Sequence, residues 1–122
     1  MSVVRRDLQE ANFSITIERF PAAARAELVG ELDLFGTELL ADVTEELLIG
    51  SPPPRDVVLD LKGLVFADLV GVRGLVESCE MLAKSATWVS VARVPRKVQR
   101  VLALSGARFP QEVEFLTDPF GD

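Results

Sequence analysis

Few side chains in this chain are placed to do chemistry. Asp33 and Asp68 offer two carboxylates, Cys79 a lone thiol, and Gly71 and Gly74 a pair of glycines opening a helix. The 122 residues include no histidine, so His-based triads and general bases and the usual zinc sets are excluded. One cysteine excludes an internal disulfide framework. The two aspartates would suit acid–base work or a weak Mg²⁺ site, but each lies at or near a helix start, where capping alone explains an aspartate. Cys79 falls on the apolar stripe of a helix, which favours a buried thiol over a nucleophile. Gly71-Val-Arg-Gly74 follows a strand and opens a helix, as a phosphate loop would. It matches neither Gly-x-x-x-x-Gly-Lys nor Gly-x-Gly-x-x-Gly. No catalytic set emerges, so an enzyme is the least favoured class, and no cofactor or metal is expected.

The elements that position these groups belong to one domain, residues 1–122, because a chain this long builds one core of ordinary size. With 48% hydrophobic and 26% charged residues, a disordered or collagen-like chain is excluded. No apolar run approaches the roughly 18 to 20 residues of a membrane span, and no signal-peptide core follows Arg5 and Arg6. A cytoplasmic protein without membrane insertion is expected. The net charge of −6 argues against nucleic acid as a partner. The charge is also segregated. Residues 26–50 hold Glu27, Glu31, Asp33, Glu38, Asp42, Glu45 and Glu46 and no basic residue. Residues 84–108 hold Lys84, Arg93, Arg96, Lys97, Arg100 and Arg108 and no acid. Such a dipolar surface either steers protein partners or is simply two solvated helix faces.

Phe13–Arg19 alternates apolar and polar, the period-2 mark of a half-buried strand, and Ala24–Val29 completes a hairpin ended by Gly30. From about Thr37 the period changes, with Leu40, Val43, Leu47 and Leu48 forming the inner stripe of a helix. Gly50-Ser-Pro-Pro-Pro54 stops it, as a stiff connector or a ligand for a proline-reading domain. Val57–Leu61 reads as a central strand covered on both faces. After a short connection, Asp68 caps a second helix running to about Lys84, with Val72, Leu75, Val76, Cys79 and Leu82 inward. Its outer face offers the i, i+4 pairs Arg73–Glu77 and Glu80–Lys84. Thr87–Ala92 is a strand, and Pro95 opens a third helix with Val98, Val101 and Leu102 inward, ended by Ser105-Gly106. Glu112–Phe115 is a short last strand. The first ten or so residues and the tail after about residue 116 read as irregular, and no internal repeat is evident. The predicted order is β-β-α-β-α-β-α-β, an α/β fold with a mixed sheet of four or five strands and amphipathic helices mostly on one side.

Three stretches, Gly30-Glu-Leu-Asp33, Val58–Asp68 and Val91–Gly106, together resemble the sulfate-transporter and anti-sigma-antagonist (STAS) family, specifically its small bacterial anti-anti-sigma factors. Gly30-Glu-Leu-Asp33 is like the family's Gly-Glu-Leu-Asp. Val58–Asp68 is similar to its V-L-D-L-x-x-(L/V)-x-F-x-D strand and loop. Val91–Gly106 looks like its Pro-x-x-V-x-x-x-L-x-x-S-G segment. The stretches fall in family order over residues 13 to about 116, and the element order above is also the family's.

The resemblance implies regulation by protein binding, with a kinase-like anti-sigma factor as partner. In phosphorylatable members the loop reads Asp-Ser-Ser-Gly or Asp-Ser-x-Gly, and phosphate on the first serine, at a helix N-terminus, abolishes binding. Here the loop is Asp68-Leu69-Val70-Gly71, so the phosphoacceptor position is Leu69 and cannot be phosphorylated. No serine or threonine lies between Ser51 and Ser78, and the chain has no tyrosine, so a shifted alignment supplies no substitute. The implied partner surface comprises Asp33, Asp68, Leu69, Val70, Gly71 and Arg73. Leu69 and Val70 are either a docking patch or a staple of the helix start against the core. The leading reading is an anti-sigma factor antagonist or STAS adaptor not switched at this loop, with a homodimer left open. The alternative is an accessory STAS subunit of an ABC-type lipid transport complex that contacts its ATPase. A ligand- or nucleotide-binding domain is a third reading.

Overall fold

The computed structural model describes residues 4–10, 12–49, 53–85 and 87–117. These form β1 (Val4–Glu10), β2 (Phe13–Arg19), β3 (Ala23–Leu32), α1 (Leu34–Ile49), β4 (Asp56–Ala67), α2 (Leu69–Lys84), β5 (Trp88–Ala92), α3 (Arg96–Ser105) and β6 (Glu114–Leu116). One sheet contains the strands in chain order. The pairs β1–β2 and β2–β3 are antiparallel, and β3–β4, β4–β5 and β5–β6 are parallel. Each parallel pair is joined through a helix, as parallel pairing requires.

Period-2 alternation sends Phe13, Ile15 and Ile17 of β2, Ala24, Ala26 and Leu28 of β3, and Val57, Leu59 and Leu61 of β4 to the core face. Against this face α1 covers β1, β2 and β3, while α2 covers β4 and β5. The third helix lies on α2 and β4. The helices bury the stripes their periodicity requires, Leu40, Val43 and Leu47 from α1 and Val72, Leu75, Cys79 and Leu82 from α2. Burying Cys79 pushes its thiol pKa up to about 12, because the thiolate would lose its hydration. Leu48, Val101 and Leu102, expected inside, are only partly buried.

The predicted order is present, but an extra strand precedes it and the sheet has six strands among the described residues. Residues 4–10, expected to be irregular, pair with β2 from Val4↔Arg19 to Glu10↔Phe13. Among the described side chains of β1 only Leu8 packs against the core, and Arg6 reaches across to form an ion pair with Glu46 of α1. An edge strand half covered in this way shows no alternation to read. The irregular tail expected after residue 116 falls largely outside the described residues, as does part of the proline connector. Two further boundaries move. The strand β3 continues through Gly30 to Leu32, and β4 runs on to Ala67 where a connection was expected.

The reading of Val57–Leu61 as a strand covered on both faces is corrected. Val58 and Asp60 point to the open face of the sheet, and charge rather than a second helical layer buries Asp60. Its carboxylate accepts bonds from Arg93, with Nε to Oδ1 at 3.2 Å and Nη2 to Oδ2, and from Arg25 Nη2 at 3.0 Å. The Lys62 backbone N–H adds a fourth at 3.2 Å. Burial works to raise the carboxyl pKa, but the bonds from Arg93, Lys62 and Arg25 outweigh it and hold the pKa below the ordinary carboxylate value. Arg25 also bonds Glu18 at 2.7 Å and Glu27 at 3.0 Å. The network ties β2, β3, β4 and the end of β5 together on the face without helices.

Candidate functional site

The site is built where two adjacent parallel strands, β3 and β4, end and turn into helices on the same side. Leu32 lies opposite Ala67 at the last step of the ladder, and the Asp68 N–H donates to the Leu32 carbonyl at 3.3 Å. Each strand then spells almost the same turn, Asp33-Leu-Phe-Gly36 and Asp68-Leu-Val-Gly71. In the first, the Gly36 N–H donates to Asp33 Oδ1 at 3.0 Å and the Thr37 N–H to the Asp33 carbonyl at 2.8 Å. In the second, the Gly71 N–H donates to Asp68 Oδ1 at 2.8 Å and the Val72 N–H to the Asp68 carbonyl at 2.9 Å. Both aspartates are therefore helix N-caps, each satisfying N–H groups that the first turn leaves without partners. A four-residue echo, not evident as a repeat, builds both helix starts.

A cap of this kind turns the next two side chains outward. Leu34 is 53% exposed, Phe35 55%, Leu69 50% and Val70 46%, and Val65 and Phe66 at the end of β4 are exposed as well. The alternative of a staple against the core is not realised at either Leu69 or Val70. Arg73 lies four residues after Leu69 on the same side of α2 and is exposed. The helices approach closely behind the turns, since a Cβ on Gly74 would come within 2.2 Å of the Thr37 side chain. That contact and the Asp68–Leu32 bond hold the two starts side by side.

The structure thus brings Asp33, Asp68, Leu69, Val70, Gly71 and Arg73 to one end of the molecule. Asp33 and Asp68 serve as caps, Gly71 is buried beneath the turn, and Leu69, Val70 and Arg73 face outward. Sequence reasoning missed Leu34, Phe35, Val65 and Phe66. The signal that could have found the first two was the repeated Asp-Leu-x-Gly, which predicts the same outward placement twice. The ion pairs anticipated along α2, Arg73–Glu77 and Glu80–Lys84, are not among those formed by the described residues. Among those residues no cluster of His, Cys, Asp or Glu could hold a metal, and no helix is long and apolar enough to cross a membrane. What this end of the molecule offers a ligand is apolar area with one cation beside it, chemistry suited to another protein surface.

A mixed sheet with helices on one face and paired capped turns after its central parallel strands defines a class of small α/β domain. The family model described as "Mlab, STAS domain" matches residues 15–108, and the chain belongs to this STAS domain family. The solved structure of the anti-sigma factor antagonist SpoIIAA in its unphosphorylated form is similar, with 20% identity and a TM-score of 0.65, covering 85% of this chain and 89% of that one. An anti-sigma factor antagonist from Mycobacterium paratuberculosis has 21% identity and a TM-score of 0.64, covering 84% and 85%. An RsbS variant from Moorella thermoacetica has 17% identity and a TM-score of 0.65, covering 84% and 86%. At these identities the likeness is one of fold. A comparison with curated proteins returned no match.

Proposed function

We propose that this chain is a regulatory binding protein of the anti-sigma factor antagonist type, which engages a kinase-like anti-sigma factor through the paired turns and is not switched by phosphorylation there. One observation carries the reading: Leu34, Phe35, Leu69 and Val70 stand half exposed or nearly so on two adjacent capped turns. Exposed apolar area gives a lone domain nothing, while burying it on a partner contributes roughly 25 cal/mol per Å². At Leu69 the same substitution that removes a phosphoacceptor adds to the contact. Arg73 supplies a polar group at the edge of the apolar centre, as a protein interface requires.

The test is binding to a kinase-like anti-sigma factor in the presence of ATP. The complex is expected to form, to persist while ATP is consumed, and to leave the mass of this protein unchanged. Leu69→Ser restores Asp-Ser-x-Gly and is expected to create a phosphorylation site, and Arg73→Glu to weaken the complex with the fold intact. Phosphate gained by the wild-type protein on Ser78 or another hydroxyl, with release of the partner, would sink the unswitched reading.

A second reading, an accessory STAS subunit of an ABC-type lipid transport complex contacting its ATPase, uses the same surface. Two observations favour it: the name Mlab in the matching family description, and the want of a phosphoacceptor, since a constitutive subunit has no use for one. Recovery of a transporter ATPase in place of a kinase-like anti-sigma factor would decide for it.

A further inference from the structure

The outer faces of α1 and α3 carry opposite charge in the same spacing. Along α1, Asp42, Glu45 and Ile49 are exposed at i, i+3 and i+7, with Glu38 one turn earlier. Along α3, Lys97, Arg100 and Leu104 are exposed at i, i+3 and i+7, with Arg96 beside them. Each stripe ends in an apolar side chain that a solvated helix face would not select, Ile49 at 80% and Leu104 at 85% exposure.

Both helices also carry their charge against their own dipoles. Arg96 and Lys97 open α3, whose Pro95 N-cap makes no side-chain bond and whose first turn holds no acid. Glu45 and Glu46 close α1, whose last turn holds no basic residue. A positive first turn and a negative last turn each destabilise a helix. Among the described residues Glu38, Asp42, Glu45, Arg96, Lys97 and Arg100 form no ion pair within the molecule, although Glu46 pairs with Arg6. At the end of α1 the cost is partly offset inside the fold, since Arg19 Nη2 donates to the Glu46 carbonyl at 3.3 Å and Arg6 pairs with the Glu46 carboxylate. The first turn of α3 has no such partner among the described residues, and a local break of this kind marks a surface that serves something outside the fold.

We infer that the acidic face of α1 docks on the basic face of α3 of a second copy of this chain, with Asp42 meeting Lys97, Glu45 meeting Arg100, and Ile49 packing on Leu104. Charge complementarity and the matched spacing choose that occupant. A polyanion such as nucleic acid would meet α3 but also the net charge of −6. The two faces lie on opposite flanks of the helical layer, because α1 sits over β1, β2 and β3 while α3 sits beyond α2. The contact is therefore heterologous, and copies add head to tail without closing into a symmetric dimer. It leaves the paired turns out of the pairing, so its failure and that of the proposed function are separable.

Sedimentation velocity of the full chain reads this directly. At about 0.01 M salt, where the screening length is about 30 Å, the weight-average mass is expected to climb with concentration past that of a dimer. At about 1 M salt, where it is about 3 Å, the protein is expected to return to a monomer. The double variant Asp42→Lys/Glu45→Arg and the double variant Lys97→Asp/Arg100→Glu should each stay monomeric alone at low salt. Mixed in equal amounts they should associate again, since each then offers the face the other needs. Leu104→Ser, with unchanged charge, should shift the association to higher concentration, and circular dichroism checks that every variant is folded. Wild-type protein that stays monomeric at low salt, a mass that stops at a dimer, association that survives in either double variant alone, or a mixture that stays monomeric would each overturn the inference.

Discussion

The start of α1 and the start of α2 share one local grammar but rest on different ground. Both use an aspartate cap, two outward apolar residues and a buried glycine in the third helical position. Beneath Gly36 lie the ring of Phe13 and the Glu31 carbonyl, with a Cβ at that position coming within 3.0 Å of two ring carbons and 3.1 Å of the carbonyl oxygen. Beneath Gly71 lies the backbone of β3, with a Cβ coming within 1.9 Å of the Leu32 carbonyl oxygen. Contacts of 3.0 Å and above are relieved by a shift of a few tenths of an ångström, whereas an approach of 1.9 Å is not. The second turn is therefore the rigid reference, and the first is the one with room to adjust.

That difference is sharpest under substitution by alanine. Gly71→Ala is expected to cost about 3 kcal/mol or more, since either β3 or α2 must move. Gly36→Ala should cost under about 1 kcal/mol, because the lost glycine flexibility in the unfolded chain offsets part of the strain. Equal shifts in urea midpoint for the two variants would break the comparison.

Asp60 gives a control of intermediate size, an aspartate that belongs to neither turn. Asp60→Asn is expected to cost roughly 2 kcal/mol, less than the 3 to 5 of a fully buried pair, since Arg25 and Arg93 keep 24% and 25% of their side chains in water. The carboxyl pKa is lower in the folded chain than its ordinary value of 3.8. Its contribution to stability is therefore complete above that value and is lost as the pH falls through the lowered one. Urea unfolding between about pH 5 and about pH 2 should show this acid loss in the wild type and a smaller one in Asp60→Asn.

The caps themselves should be equivalent. Asp33→Ala and Asp68→Ala are each expected to cost about 1 kcal/mol, and a large inequality would show that one aspartate has a further role in the free protein. The smallest effects on stability belong to the outward side chains. Leu34→Glu and Leu69→Glu should each change stability by under about 0.5 kcal/mol. Both should weaken partner binding at least about tenfold, because a carboxylate is then desolvated in an apolar contact. If only Leu69→Glu weakens binding in a titration, the docking surface is confined to the second turn.

The same contrast shows what the sequence can carry. The α2 cap, its inward stripe and the exposure of Arg73 were legible because Asp68 precedes a long run with a period of 3.6. The α1 cap was half legible. Asp33 stood near a helix start, but Leu34 and Phe35 blurred the inward stripe, which becomes regular only from Thr37. The edge strand β1 was hidden because Arg5, Arg6, Asp7, Gln9 and Glu10 are all polar, so Leu8 has no apolar partner two residues away to make an alternation. Asp60 read as part of an apolar strand because its partners, Arg25 and Arg93, lie 35 and 33 residues away and no local pattern records them. The close approach of Gly71 to Leu32 is a property of two parallel strands ending level, a relation between distant residues that spacing alone does not contain.

Cys79 is the only cysteine, and it sits in the layer that every helix and the central strands share. Its thiol reacts only when that layer opens, and it has little thiolate to offer until it does. The rate at which a soluble thiol reagent modifies the wild-type chain thus becomes a clock for opening. When reclosing outpaces modification, that rate reports the equilibrium fraction of open molecules without denaturant. Partner binding that favours the closed chain should slow this clock in proportion to occupancy. The side chain with the least part in the surface chemistry thereby gives a readout of it, with no label added and no residue changed.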